Sequence, residues 1–227
     1  MMKQPIGDQL LTIFDQLFSC YGEQHWWPAG DAFEMIIGAI LTQSTAWKNV
    51  QKAIDNLVSA GLISPLNLRQ VSSDELAELI RPSGYFNVKA KKLKAFAEWL
   101  DIRHNDSLVS LFDQETPTLR HELLGIYGIG EETADSIILY GAMKPIFVID
   151  AYTRRIVTRL GFKVKGETYG AFQELFMNNL PKDEKMFNEY HALLVHHGKD
   201  VCKKTPQCTG CCLSEYCQTA SVRKGYR

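Results

Sequence analysis

The chain has 227 residues, 45% of them hydrophobic, and a formal net charge of −1. This hydrophobic share is ample for the core of one domain or of two small ones. No apolar run is long enough to cross a bilayer, which excludes a membrane-spanning protein, and the N-terminal Met-Met-Lys-Gln-Pro opens no apolar signal segment. We therefore expect a monomeric, cytoplasmic protein with no signal peptide and no membrane partner.

Apolar residues recur at helical spacing along almost the whole chain. In chain order the stripes occupy residues 10–18, 33–41, 50–58, 93–100, 172–176 and 193–194. Proline begins or ends helices rather than continuing them, and six prolines fall between the stripes: Pro28, Pro65, Pro82, Pro117, Pro145 and Pro181. Since no alternating run reaches strand length, the pattern predicts an all-α fold of about ten helices joined by short loops.

A Gly-apolar-Gly turn, Gly128-Ile129-Gly130, separates two helical stretches in the middle of the chain. Glycine permits positive φ and close approach, so such a turn can point backbone N–H groups outward at the start of the next helix. This arrangement binds anions, and on nucleic acid the anion is a phosphate. Many helix pairs also join through glycines, so an ordinary turn is the alternative.

Four cysteines crowd one segment near the C-terminus, separated by five, two and five residues: Cys202, Cys208, Cys211 and Cys217. Thiolates are soft ligands that suit zinc or an iron–sulfur cluster, so the segment predicts one metal centre. A pair of disulfides is the alternative, which a reducing compartment disfavours. Cys212 adjoins Cys211 and cannot easily bind the same centre, and Cys20 is predicted to be a core residue of an apolar helix.

Charge is distributed unevenly along the chain. Residues 145–227 carry 13 Lys and Arg against 8 Asp and Glu, whereas residues 1–144 carry 12 against 18. The positive charge therefore accumulates beside the cysteines, as a surface that binds a nucleic-acid backbone requires. A solvated helix surface produces the same bias, so charge alone does not identify the partner.

Three segments in this order resemble the endonuclease III, or helix-hairpin-helix-GPD, superfamily of DNA glycosylases: Gly-Ile-Gly-Glu-Glu-Thr-Ala from Gly128, Phe-Val-Ile-Asp-Ala-Tyr-Thr-Arg-Arg from Phe147, and the cysteine loop. The resemblance extends over nearly the whole chain. It implies a nucleoid-associated repair enzyme whose partner is double-stranded DNA containing a damaged base. It further implies a six-helix barrel of residues 27–144 containing the hairpin, and a second helical domain of residues 1–26 and 145–227.

The same resemblance implies a 4Fe-4S cluster on the four cysteines, mainly structural, with Lys203 and Lys204 presented to the DNA backbone. The first cysteine spacing is one residue shorter than is usual in the family, so zinc or an altered loop is the alternative.

The resemblance also implies that Asp150 is the catalytic carboxylate. A carboxylate near C1′ stabilises the oxocarbenium ion that forms when the base leaves, and it can activate a water. From the residues alone, Asp150 is equally an N-cap of the helix that follows. Bifunctional members carry a lysine two residues after the second hairpin glycine, which attacks C1′. Because Glu132 occupies that position, we expect a monofunctional glycosylase with weak or absent AP-lyase activity.

Aromatic residues suggest which base is removed. Trp26 and Trp27 precede the second helix, and Trp47 follows Gln43; such rings can stack on a flipped base. Cation–π attraction favours a cationic alkylated base by about 0.5–2 kcal/mol. The adenine-excising branch has a glutamate at the position of Gly38. The chain therefore resembles the endonuclease III-like 3-methyladenine DNA glycosylases, with ordinary core packing of these rings as the alternative.

Two further residues match positions with which the family fills the gap left by the flipped base, Gln43 after the second helix and Tyr85 in a later loop. Four lysines on the helix after Tyr85 either neutralise phosphates or form a solvated face: Lys89, Lys91, Lys92 and Lys94.

Three other functions stay open at this point. A uracil or thymine mismatch glycosylase also lacks the lysine, and Ser44 and Thr45 could bind a pyrimidine edge. A non-catalytic helix-hairpin-helix DNA-binding protein would share the hairpin and the charge distribution. A metal-dependent regulator would use the cysteines as a sensor.

Overall fold

The computed structural model describes residues 5–27 and 29–224. In these ranges the chain forms 13 α-helices and no strand, which confirms the all-α prediction. Pro28 lies outside the described residues. No helix in these ranges combines the length and apolar character that crossing a bilayer requires. The chain divides into a terminal unit, Met1–Trp26 with Pro145–Arg227, and a central unit, Trp27–Lys144.

The central unit contains eight α-helices, a 3₁₀ turn and a π-helical turn. In chain order they are α2 (Ala32–Leu41), α3 (Trp47–Ser59), α4 (Pro65–Gln70), α5 (Ser73–Leu79), the 3₁₀ turn Arg81–Ser83, α6 (Phe86–His104), α7 (Leu108–Phe112), α8 (Thr116–Leu124), α9 (Glu131–Ser136) and the π turn Ile137–Gly141. Pro65 and Pro117 begin or nearly begin their helices, as their position between the apolar stripes predicts.

Helix α2 forms the centre of this unit. Asp31 caps it by accepting hydrogen bonds from the N–H groups of Phe33 and Glu34 at 2.8 and 2.9 Å. Its residues are almost all buried, and it packs against α3, α6, α9 and the π turn. The loop that follows α2, which carries Gln43, therefore starts from the best-packed part of the unit.

The helix-hairpin-helix is formed by α8, a turn and α9. Arg120 on α8 donates from Nε to Oδ1 of the fully buried Asp135 on α9 at 2.7 Å, which ties the two helices together. Ile126 and Ile129 in the turn are buried, and Gly128 has a φ of +82°, a conformation that glycine adopts without strain. The turn thus lies where the sequence predicts it.

The terminal unit contains α1 (Ile6–Tyr21), α10 (Ala151–Leu160), α11 (Tyr169–Met177), α12 (Glu184–Asp200) and α13 (Gln218–Lys224). Its core is aromatic: the rings of Phe147 and Phe176 stack at 3.8 Å, and Tyr190 meets both edge-on. The Tyr190 hydroxyl also donates to the carbonyl oxygen of Leu10 at 2.9 Å. This core explains why α1 belongs to the same unit as the C-terminal helices.

Candidate functional site

Asp150 stands at the N-terminus of α10, and its interpretation as an N-cap is confirmed. Its Oδ1 accepts a hydrogen bond from the Thr153 N–H at 2.7 Å. Its Oδ2 lies 4.0 Å from Nε2 of His191, and the aspartate side chain is 12% exposed. One oxygen therefore fixes the start of the helix, while the other is held in a largely dehydrated environment where a negative charge acts strongly on its neighbours.

His191 on α12 was not identified from the sequence. Its side chain is buried, and burial lowers the pKa of the imidazole while the charge of Asp150 opposes that change. The ring is therefore neutral at neutral pH. The sequence does not show that this histidine lies beside Asp150, because only the packing of α10 against α12 brings the two residues together.

The buried His191 predicts acid sensitivity. Unfolded, its pKa is the ordinary 6.5, whereas the folded pKa is lower. Below pH 6.5 the unfolded state therefore binds more protons than the folded state. The contribution of His191 to the free energy of unfolding is complete above pH 6.5 and is lost as the pH drops towards the folded pKa. Denaturant unfolding on both sides of this range measures the loss, and His191→Gln is expected to lose less than the wild type. An equal loss in both proteins would contradict the explanation.

Two arginines one turn apart connect α10 to the cysteine loop. Arg155 donates from Nε to the carbonyl oxygen of Cys202 at 2.8 Å. Arg159 donates to the Cys202 sulfur at 3.2 Å and to the carbonyl oxygens of Lys203 and Lys204 at 2.6 and 2.8 Å. The backbone of this segment is thereby fixed, and both lysine side chains are exposed. The same helix thus begins at Asp150 and anchors the loop at its other end.

The four predicted metal ligands line one pocket: Cys202, Cys208, Cys211 and Cys217. All are free thiols, as are Cys20 and Cys212. Arg159, His197 and the apolar Ile156, Leu160 and Leu213 are among the other residues that line it. Among the described residues, no three His, Cys, Asp or Glu are arranged to hold a single metal ion.

Four sulfur donors on one pocket suit an iron–sulfur cluster or a zinc ion, since soft thiolates bind both. The guanidinium of Arg159, 3.2 Å from the Cys202 sulfur, would offset the negative charge of thiolate ligands there. Cys20 is exposed, so the prediction that it is a core residue is wrong; it lies in the last turn of α1, on the outer side of an amphipathic helix.

Gln43 lies against the hairpin turn. Its Nε2 donates to the carbonyl oxygen of Gly128 at 3.1 Å and to Oγ1 of Thr133 at 2.9 Å, while its Oε1 accepts from the Lys92 ammonium. On the outside of the turn, a Cβ at Gly130 would meet no atom within 4 Å, so the backbone there is accessible. The structure thus brings together two segments, around residues 43 and 128–130, that the sequence marked separately.

Two residues with strained backbones lie in the loops before α3 and α6. Ser44 has a φ of 55° and Tyr85 a φ of 47°, both in the left-handed region that side chains disfavour. The Tyr85 side chain is 73% exposed, unusually far for an aromatic ring. Such strain persists where the surroundings impose it, and it is frequent at ligand-binding loops.

Two of the three predicted pocket tryptophans form an aromatic group in the central unit. The Trp27 ring meets Trp47 edge-on at 5.0 Å and Tyr140 at 5.3 Å. It also lies against Gly38, where a Cβ would stand 3.2 Å from the ring, so a larger residue there would have to displace the ring slightly. Tyr140 was missed because it belongs to an apolar run. Trp26 belongs to the terminal unit and is half-buried.

Glu132, two residues after the second hairpin glycine, is exposed in the first turn of α9. The ammonium of Lys144, the next lysine along the chain, donates to the carbonyl oxygen of Gln114 at 2.6 Å.

Three of the four lysines of α6 bind acceptors inside the protein, so they do not form the solvated face that was one alternative from the sequence. Lys89, Lys92 and Lys94 each donate to acceptors within the central unit, and Lys91 is exposed.

The open glycine hairpin, the aspartate that caps the helix after it and the loop with four cysteines follow one another in the order that the sequence resemblance predicts. The model of the "HhH-GPD superfamily base excision DNA repair protein" matches residues 37–182. The chain belongs to this superfamily and is a base-excision-repair DNA glycosylase.

Individual proteins support the same conclusion. The chain is 43% identical to "Putative DNA repair glycosylase MJ1434" of Methanocaldococcus jannaschii, over 95% of this chain and 99% of that protein. The solved structure of H. pylori 3-methyladenine DNA glycosylase bound to 1,N6-ethenoadenine is 26% identical, with a TM-score of 0.74 over 86% of this chain and 97% of that one. A DNA-bound endonuclease III, 23% identical, shares the fold with a TM-score of 0.83 over 99% of this chain and all of that one.

Proposed function

We propose that the protein is a monofunctional glycosylase that removes alkylated purines such as 3-methyladenine from double-stranded DNA. The observation that carries the substrate class is the aromatic group of Trp27, Trp47 and Tyr140, whose electron-rich faces favour a cationic base. The H. pylori relative, which acts on 3-methyladenine and was solved with an etheno-modified adenine, supports a purine pocket. Trp26, the third tryptophan that the sequence suggested for base stacking, belongs to the terminal unit, and its part in base binding stays a prediction.

The proposed reaction breaks the bond between C1′ and the base nitrogen. The bonding electron pair leaves with the base, so a cationic alkylated purine departs as a neutral molecule and needs little acid catalysis. Positive charge then develops on the sugar, where the carboxylate of Asp150 stabilises it. A water adds to C1′ and gives up its proton to that carboxylate, which leaves an abasic site.

Lyase activity is not part of the proposal. Strand cleavage in bifunctional enzymes begins with an amine that attacks C1′. Glu132 cannot form a Schiff base, and the ammonium of Lys144 is already hydrogen-bonded to Gln114. Gly128 and Gly130 are proposed to hold a phosphate, Gln43 and Tyr85 to fill the gap in the stack, and Lys203 and Lys204 to contact the backbone.

The four cysteines are proposed to hold a 4Fe-4S cluster. When bound, the cluster cross-links the loop and stabilises the terminal unit. Arg159 supplies positive charge beside Cys202 and fixes the backbone of the next two residues. Asp150 caps α10, and Arg159 on the same helix holds the carbonyl oxygens of Lys203 and Lys204. The exposed side chains of these two lysines therefore have a defined position relative to the start of α10.

A panel of duplexes tests the proposed activity. The duplexes contain 3-methyladenine, uracil, mismatched thymine, an oxidised pyrimidine or mispaired adenine, and released bases are measured together with strand cleavage and borohydride trapping. We expect release of the alkylated purine, an intact strand and no covalent adduct. Release of uracil or thymine instead would overturn the substrate, and an efficient adduct would overturn the monofunctional mechanism. No release of any base would favour a non-catalytic DNA-binding protein.

A further inference from the structure

The side-chain amide of Gln43 is almost fully used inside the protein. A glutamine amide has two N–H donors and an oxygen with two lone pairs. Both donors are taken, one by the Gly128 carbonyl oxygen at 3.1 Å and one by the Thr133 hydroxyl at 2.9 Å. The oxygen accepts the ammonium of Lys92 at 2.5 Å. A side chain placed to fill the gap in DNA is therefore held in advance by the hairpin and by α6.

Lys92 contacts both Gln43 and Gly128, the two residues that this hydrogen bond joins. Its ammonium binds Gln43, and its aliphatic stem packs on Gly128, where a Cβ would stand 2.4 Å from the lysine Cγ. No side chain fits at Gly128, so the glycine serves contact with the lysine as well as the positive φ of the turn. One of the three N–H donors of the Lys92 ammonium is therefore engaged by the amide oxygen.

Lys89, one turn earlier on the same helix, holds the neighbouring backbone. It is only 2% exposed, and it donates to the carbonyl oxygens of Leu41 and Ser83 at 2.8 and 2.7 Å and to the Thr45 hydroxyl at 2.8 Å. The Thr45 hydroxyl also donates to the Ser83 carbonyl oxygen. Burial lowers the pKa of Lys89 to about 8, so the ammonium still carries its charge at neutral pH. The loop carrying Gln43 is thus joined to the segment that precedes Tyr85.

We propose that Lys92 is a positioning residue that locks Gln43 onto the hairpin, so that the gap-filling side chain and the phosphate-binding turn engage DNA as one preformed surface. The inference rests on the proposed function. It assigns Lys92 a role through Gln43 and not as a phosphate ligand. Preorganisation of this kind lowers the entropy cost of binding. The part of this benefit that acts through Gln43 is confined to DNA that has a gap to fill.

The test compares two duplexes, an intact one and one containing a stable abasic-site analogue. Lys92→Met keeps the stem that packs on Gly128 and removes the ammonium. We expect affinity for the abasic duplex to fall about 10-fold, affinity for the intact duplex to change less than 2-fold, and the salt dependence of binding to stay as in the wild type. A phosphate ligand would instead weaken both duplexes alike and reduce the salt slope by about 1.

Two further variants isolate the mechanism. Lys91→Met removes an exposed charge from the adjacent position of α6 and is expected to leave the preference for the abasic duplex unchanged. In a Gln43→Leu background, Lys92→Met is expected to have no additional effect on that preference, because its action requires the amide. Additive losses in this cycle would overturn the positioning role, and unfolding curves verify that each variant is folded.

Failure of the proposed function and failure of the role of Lys92 give different results. A wild-type protein that releases no base and binds both duplexes equally contradicts the proposed function and this inference with it. A preference for the abasic duplex that survives Lys92→Met overturns only the role of Lys92.

Discussion

Asp150→Asn is expected to lower the single-turnover rate of base release by about 10²–10⁴-fold while leaving the free energy of unfolding nearly unchanged. The asparagine keeps an oxygen that accepts from the Thr153 N–H, and asparagine is as good an N-cap as aspartate. The start of α10 is therefore preserved. What is lost is the negative charge that stabilises the sugar cation and the group that takes the proton from water.

The control for this substitution is Asp183→Asn. Asp183 caps α12 in the same unit by accepting from the Met186 N–H at 2.8 Å, so the change removes the same charge from the same kind of position. Its rate of base release is expected to equal that of the wild type. Both rates are measured with enzyme in excess over a duplex containing an alkylated purine. A wild-type rate for Asp150→Asn would show that the carboxylate takes no part in the reaction.

Arg159→Met is expected to lower iron and sulfide content sharply and to destabilise the terminal unit by about 2–4 kcal/mol. The guanidinium donates to the Cys202 sulfur and to three consecutive carbonyl oxygens, those of Cys202, Lys203 and Lys204. Methionine preserves part of the apolar stem but removes the donor to the carbonyl oxygens of Lys203 and Lys204, whereas the Cys202 carbonyl oxygen keeps Arg155. The loop then loses much of its backbone anchor and the positive charge beside the Cys202 sulfur.

Visible absorbance, iron and sulfide analysis and denaturant unfolding measure these losses. Arg154→Met on the same helix is the matched control, because its guanidinium donates to the carbonyl oxygen of Glu167 and lies over the Phe172 ring. It is expected to retain the iron. If Arg159→Met kept full iron content and stability, the anchoring role of the guanidinium would be refuted. Iron-free wild type that unfolds like the holoprotein would refute the stabilising role of the cluster.

Helices and turns followed from local signals. Apolar stripes marked the long helices, glycines marked the hairpin turn, and Asp150 was recognisable as a cap because the residue type and the following stripe are adjacent in sequence. The four cysteines were predictable as one centre because their spacing keeps them in a single loop.

Predictions about side-chain partners were less successful where periodicity was the only guide. A stripe shows that a helix has an apolar side but does not show where its last turn lies, which is why Cys20 was placed in the core. The lysines of α6 look like a solvated face in the sequence, yet Lys89 is buried because three acceptors from other segments surround its ammonium.

The sequence by itself determined the all-helical class, the hairpin, the cysteine loop and the glutamate two residues after Gly130, since each depends on residues close together in the chain. Only the tertiary structure decided that His191 lies beside Asp150, that Tyr140 joins the tryptophans and that Lys92 holds Gln43 against Gly128. These contacts join residues 41–113 positions apart. Hydrogen bonds and ring contacts act over a few ångströms, so they depend on how helices pack, which local sequence patterns do not encode.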